Sequence, residues 1–123
     1  MKIESVKLLY NMAAHLAAVE KYPEGLIEEL RKPGVSSYDA MYWAFAECAK
    51  QAELYRRFLG ESPRRILTEA DWRLLVKPGQ SAKMTEMLLT AIANGLGDSS
   101  DDDQEIDEVL AELEKKSGKT STA

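Results

Sequence analysis

Residues 36–60 read SSYDAMYWAFAECAKQAELYRRFLG, and this stretch decides the fold. Tyr38, Met41, Tyr42, Phe45, Cys48, Ala49 and Ala52 recur at steps of three and four. That spacing gathers them on one face of a long helix, where a strand would alternate every second residue. Ser36 or Ser37 is the expected N-cap, because its hydroxyl can accept from the free N–H groups of the first turn, and Asp39 adds negative charge where the helix dipole favours it. Gly60 is the expected stop. Much of the aromatic mass lies here, so the stretch is expected to be the central helix of the domain.

Towards the N-terminus, residues 5–21 place Val6, Leu9, Met12, Ala13, Leu16, Ala17 and Glu20 at helical steps, all but the last apolar. A first helix is therefore expected to end near Tyr22, ahead of Pro23, with Met1 to Ser5 either part of it or a short extended arm. Pro23 suits the start of a short second helix through Leu26, Ile27 and Leu30, which Pro33-Gly34 terminates. Towards the C-terminus, Thr68 and Asp71 form an Asp version of the capping box, opening a helix whose apolar face is Trp72, Leu75 and Val76. Pro78-Gly79 closes it. Ser81 is the expected cap of the next helix, with Met84, Met87, Leu88, Ala91 and Ile92 as its stripe and Gly95-Leu96-Gly97 as its end. No strand-like alternation of any length is present. The fold class is all-α, a body of about five helices over residues 1–97.

The chain has 123 residues, 45% hydrophobic and 30% charged, which is a single domain of ordinary globular composition. Its net charge of -5 is unevenly spread. Residues 1–97 carry 13 Lys and Arg against 12 Asp and Glu, a net of +1, whereas residues 98–123 carry 9 acids and 3 lysines, a net of -6. The asymmetry marks off a tail. Residues 98–103 read as a self-repelling acidic linker. Residues 104–116 place Ile106, Val109, Leu110 and Leu113 at i, i+3, i+4 and i+7, a short amphipathic helix that needs either the body or a partner to be stable. Residues 117–123 are expected to be disordered.

Chemistry-bearing motifs are few. No apolar run approaches the roughly 18 residues of a membrane span. Leu8 to Val19 comes nearest to a secretory leader, and Asn11 and His15 interrupt it. The single Cys48 permits no internal disulfide and sits on an apolar helix face, where a thiol is usually inert. His15 is the only histidine, so a zinc site lacks ligands, and it is expected to be structural. Asp101-Asp102-Asp103 lacks the glycine turn and terminal glutamate of a calcium loop. The Glu28-Glu29 pair has no basis for a raised pKa. No phosphate-cradling glycine loop, nucleophile elbow or H-E-x-x-H is present. No catalytic residue, cofactor or metal is expected. Arg56, Arg57, Arg64 and Arg65 cluster around the end of the central helix and are candidates to receive the acidic tail or an acidic partner. Met12, Met41, Met84 and Met87 could serve an adaptable surface, and the last three are expected to be core.

Three functional readings follow. Lys7-Leu8-Leu9-Tyr10-Asn11-Met12, then Val19-Glu20-Lys21-Tyr22 and Leu26-Ile27-Glu28-Glu29-Leu30, resemble the opening of the tail assembly chaperones of long-tailed bacteriophages and prophages. Leu67-Thr68-Glu69-Ala70-Asp71, the second small helix pair and the acidic ending from Asp107 to Lys116 continue the likeness over most of the chain. It rests on the order of elements more than on any one motif. Many such proteins begin with an extended hairpin, for which Met1 to Ser5 leaves little room.

The resemblance implies a non-structural protein of the host bacterial cytoplasm, absent from the mature virion. It would bind the tape-measure protein and keep it soluble until the tail-tube protein polymerises around it. Further partners implied are the tail-tube protein and a frameshifted longer form of the same chain; a homo-oligomer stays open. Ile106, Val109, Leu110 and Leu113 are the candidate client contacts. The alternative, read from residues 68–92, is a small helix-turn-helix DNA-binding regulator. Against it, the start of the reading helix (Ser81, Lys83, Thr85, Glu86) holds one cation, and a body at +1 has little counterion release to gain. A helical component of the head–tail joint is a third reading.

Overall fold

The computed structural model describes residues 2–97. They form five α-helices: α1 (Met12–Lys21), α2 (Leu26–Arg31), α3 (Val35–Phe58), α4 (Glu69–Leu75) and α5 (Ser81–Leu96). Single 3-10 turns occupy Ile3–Ser5 and Pro78–Gln80, and no strand is present among the described residues. The fold is all-α. The linker, the 104–116 helix and the 117–123 tail read from the sequence lie outside the described residues.

All four other helices pack on α3. Its inner face buries Ala40, Met41, Ala44, Phe45, Cys48, Gln51 and Ala52. The alanines let neighbouring backbones approach closely, and the larger side chains fill the space between. Phe45 is wholly buried and meets Trp72 of α4 edge-to-face, ring centroids 5.0 Å apart. Ile3, Met84, Leu88 and Ile92 complete the core. Met41 and Met84 are core as expected, Met87 is half-buried, and Met12 is exposed. Gly60, at φ 91°, turns the chain out of α3 as the sequence suggests, because a left-handed residue there is cheap only for glycine. The capping box of α4 is present: the Asp71 N–H donates to the Thr68 hydroxyl at 3.1 Å, and the Thr68 N–H to the Asp71 carboxylate at 2.9 Å.

Several expectations are corrected. The first helix starts at Met12, not near Ser5. Asn11 caps it by accepting from the Ala14 N–H, and the Leu9 N–H is spent on the Cys48 carbonyl of α3, which holds residues 6–11 in an irregular path. Residues 2–5 form no extended arm: Ile3, in a 3-10 turn, is 1% exposed. The buried face of α1 is Ala14 and Ala18, whereas Met12, Leu16 and Val19 face outward. Large apolar residues dominate a periodicity count, but close packing on α3 selects the small ones.

Pro23 sits in the turn before α2, whose N-cap is Gly25. The N-cap of α3 is Gly34; Ser36 and Ser37 lie inside the first turn, where the Ser37 hydroxyl donates back to the Gly34 carbonyl. Asp39 is engaged by Arg73 at 2.7 Å across the α3–α4 contact. Leu75 faces solvent while Trp72 and Val76 are buried. Ser81 does not cap α5: it is the first helical residue, and its hydroxyl donates to the Pro78 carbonyl. α5 ends within Gly95-Leu96-Gly97 as expected, with Leu96 its last residue and Gly97 its C-cap.

Candidate partner-binding site

The four arginines do not converge on one point. Glu53, on the last turns of α3, accepts from Arg56 Nη1 at 2.6 Å, from Arg57 Nε at 3.0 Å and from the backbone N–H of Arg64 at 2.8 Å. Arg57 also donates to the Arg64 carbonyl at 2.6 Å, and Arg56 to the Ser62 carbonyl at 3.4 Å. The backbone N–H of Arg64, followed by the two guanidinium groups, holds the Glu53 carboxyl well below its ordinary range, at about 2. Arg56 and Arg57 are thus the pins that fold residues 60–65 back along α3. Among the described residues Arg65 pairs only with Asp71, at 3.8 Å, and its side chain is 79% exposed. The Arg64 guanidinium has no ion-pair partner among the described residues. Of the candidate acidic-partner contacts, two are structural and two face outward.

Those two border a cleft that the sequence did not reveal. It has a volume of about 230 Å³ between α3, the 61–67 segment, the start of α4 and residues 5–7. Val6, Ile66, Leu67 and Trp72 supply apolar wall, and Lys7 and Lys50 join the arginines at its edge. Lys50 lies on α3 two turns before Arg57, but Lys7 is far from the arginine cluster in sequence, and only the irregular path of residues 6–11 brings it there.

A second exposed feature is apolar. Met12 is 68% exposed, Leu16 59% and Val19 51%, so the outer face of α1 presents a continuous stripe at steps of four and three. Periodicity picked out Met12 and Leu16 of this stripe but not Val19.

Other candidates are structural. The His15 Nδ1 and the Tyr10 hydroxyl share a hydrogen bond at 2.8 Å, with the rings edge-to-face, which ties α1 to the segment before it. Burial pushes the Cys48 thiol up to about 12, with the Glu47 carboxylate adding to it. Such a thiol stays protonated and unreactive in the folded protein. Among the described residues no cluster of three His, Cys, Asp or Glu could hold a metal ion, and no helix is long and apolar enough to cross a membrane. In the 68–92 segment, α4 and α5 each lie against α3 more than against one another. The Thr85 hydroxyl is occupied by the Ser81 carbonyl and Met41 Sδ, and Lys83 contacts Glu86 at 3.4 Å. Ile106, Val109, Leu110 and Leu113 lie outside the described residues. The chain matches no family model, no curated protein and no solved structure.

Proposed function

We propose that this protein acts without catalysis as a helical chaperone of phage tail assembly. Its client is the tape-measure protein, a long apolar helical chain held soluble in the host bacterial cytoplasm and released before the virion is complete. The observation that carries this reading is the exposed stripe of Met12, Leu16 and Val19 on α1, a helix whose other side is anchored by buried Ala14 and Ala18. A soluble domain spends little apolar surface without a use for it, and a Met-containing stripe adapts to varied helical faces. The amphipathic spacing of Ile106, Val109, Leu110 and Leu113 offers a second such face, and the acid-rich linker between them supplies the repulsion that keeps a chaperone–client complex dispersed. The DNA-binding alternative draws less support, since the residues at the start of α5 are taken up within the domain.

The test is a pull-down of tape-measure fragments by the full chain, with Leu16→Asp and Leu110→Asp variants beside it. A buried leucine contributes roughly 1.5–3 kcal/mol, so each variant is expected to weaken capture about tenfold or more. Failure of the unaltered chain with every fragment refutes the reading. Tight DNA binding that falls steeply with salt in a gel shift supports the regulator instead.

A further inference from the structure

The cleft beside α3 combines three properties that ask for an occupant. Its lining holds five cations, Lys7, Lys50, Arg56, Arg64 and Arg65, against the single carboxylate of Glu53. Neither Lys7 nor Arg64 has a side-chain ion pair among the described residues, so this positive charge is not neutralised locally. Trp72 lines the same cleft and is 4% exposed, and its indole N–H is a buried donor without a hydrogen-bond partner among the described residues. An orphaned buried donor costs about 1–3 kcal/mol, so the wall of this cleft is not an optimised piece of core.

The chain itself contains the complementary piece. Residues 104–116 interleave Glu105, Asp107, Glu108, Glu112 and Glu114 with the apolar Ile106, Val109, Leu110 and Leu113. The described chain leaves α5 at Gly97, three residues after Asn94. Asn94 shares a shallow depression with Val6 and Lys7, and those two residues also border the cleft. The exit of α5 and the cleft are therefore neighbours across one short stretch of backbone. Seven residues, 98–104, span at most about 25 Å when extended, and Val6 and Lys7 line both the depression beside Asn94 and the cleft.

We propose that segment 104–116 docks in this cleft on its own body. Its leucine and isoleucine side chains meet Val6, Ile66 and Leu67, and its carboxylates meet Lys7 and Arg64. The acidic linker keeps the segment tethered at a high effective concentration, so a weak contact suffices. If the chaperone reading holds, client and body compete for one segment, and client capture releases it. Only that consequence depends on the reading; the docking stands or falls by itself.

The experiment uses the full chain, ¹⁵N-labelled, with a nitroxide on Ser117→Cys. Cys48 is buried and its thiol is pushed up to about 12, so the label goes to position 117 alone. Expected is paramagnetic broadening of the amides of Lys50 and of residues 64–67. It should be lost in the Leu110→Asp/Leu113→Asp double variant and weakened as salt rises from about 0.1 M, where the screening length is about 10 Å, to about 1 M, where it is about 3 Å. Both changes fall in the tail, so the body stays folded. Three results overturn the proposal: no broadening on the body; broadening centred on the groove of Val19, Ile27 and Leu96 between α1, α2 and α5; or broadening seen only when labelled tails and ¹⁵N bodies are on different molecules, which assigns the tail to a second copy. A pull-down that fails while the broadening persists sinks the client and leaves the docking intact.

Discussion

Gly95→Ala tests whether the close approach of two backbones governs the N-terminal half of this domain. A glycine within a helix, exposed at its surface, is ordinarily a place to gain stability, since alanine improves helix propensity by up to about 1 kcal/mol. Here the tertiary structure reverses the sign. A Cβ at position 95 would overlap the carbonyl oxygen of Tyr10 and crowd its side chain. The obstacle is mainly backbone, which cannot rotate away. Relief requires Tyr10 to move, and Tyr10 carries the hydrogen bond to His15 and follows Leu9, whose N–H is bonded to Cys48 at 3.0 Å.

Overpacking costs about 1–3 kcal/mol, and a rigid obstacle puts this site in the upper part of that range. After the propensity gain, a net loss of about 1–2 kcal/mol remains, which for a domain of this size lowers Tm by roughly 5–15 °C. Thermal unfolding followed by circular dichroism at 222 nm measures it, with Thr90→Ala, on the exposed side of the same helix, as the control for propensity alone. An unchanged or raised Tm in Gly95→Ala would refute the argument and mean that α5 and residues 9–11 pack less closely than described.

Two further outcomes follow from the helix ends. Thr68→Ala removes the acceptor for the Asp71 N–H and should cost about 1 kcal/mol in chemical denaturation, with Thr68→Ser close to the unaltered chain; equal stability of all three would show that the capping box contributes nothing. Glu53→Gln removes a carboxylate whose folded pKa lies at about 2, below its ordinary value of about 4.5. The stability this carboxylate contributes is fully present above about pH 4.5 and is lost as pH falls towards 2. The variant should therefore be less stable than the unaltered chain at neutral pH, with the gap closing between those two values, as measured by urea midpoints at each pH. A gap that does not change with pH would show that Glu53 acts through packing and not through charge.

The amino-acid order determined the helices whose evidence is local. The three-and-four recurrence from Tyr38 to Ala52, the left-handed stop at Gly60 and the reciprocal Thr68–Asp71 cap each need only a few neighbouring residues to be recognised; the helix, the stop and the cap are in place, although Tyr38 faces solvent and Ala40, Ala44 and Gln51 join the buried face. The uneven charge between body and tail is equally a property of the chain alone. Which face of α1 lies inward was decided by tertiary structure. Its stripe of Met12, Leu16 and Val19 is as apolar as any core, yet the contact with α3 is close enough that only Ala14 and Ala18 fit. The irregular path of residues 6–11 was settled in the same way, by a carbonyl of α3 that accepts the Leu9 N–H. The basic cleft exists because that path brings Lys7 beside Lys50 and Arg64. Periodicity registers which residues are greasy and how they are spaced. How near two backbones may come, and which distant side chains then share a wall, depends on volumes and hydrogen bonds that form only once the helices have packed.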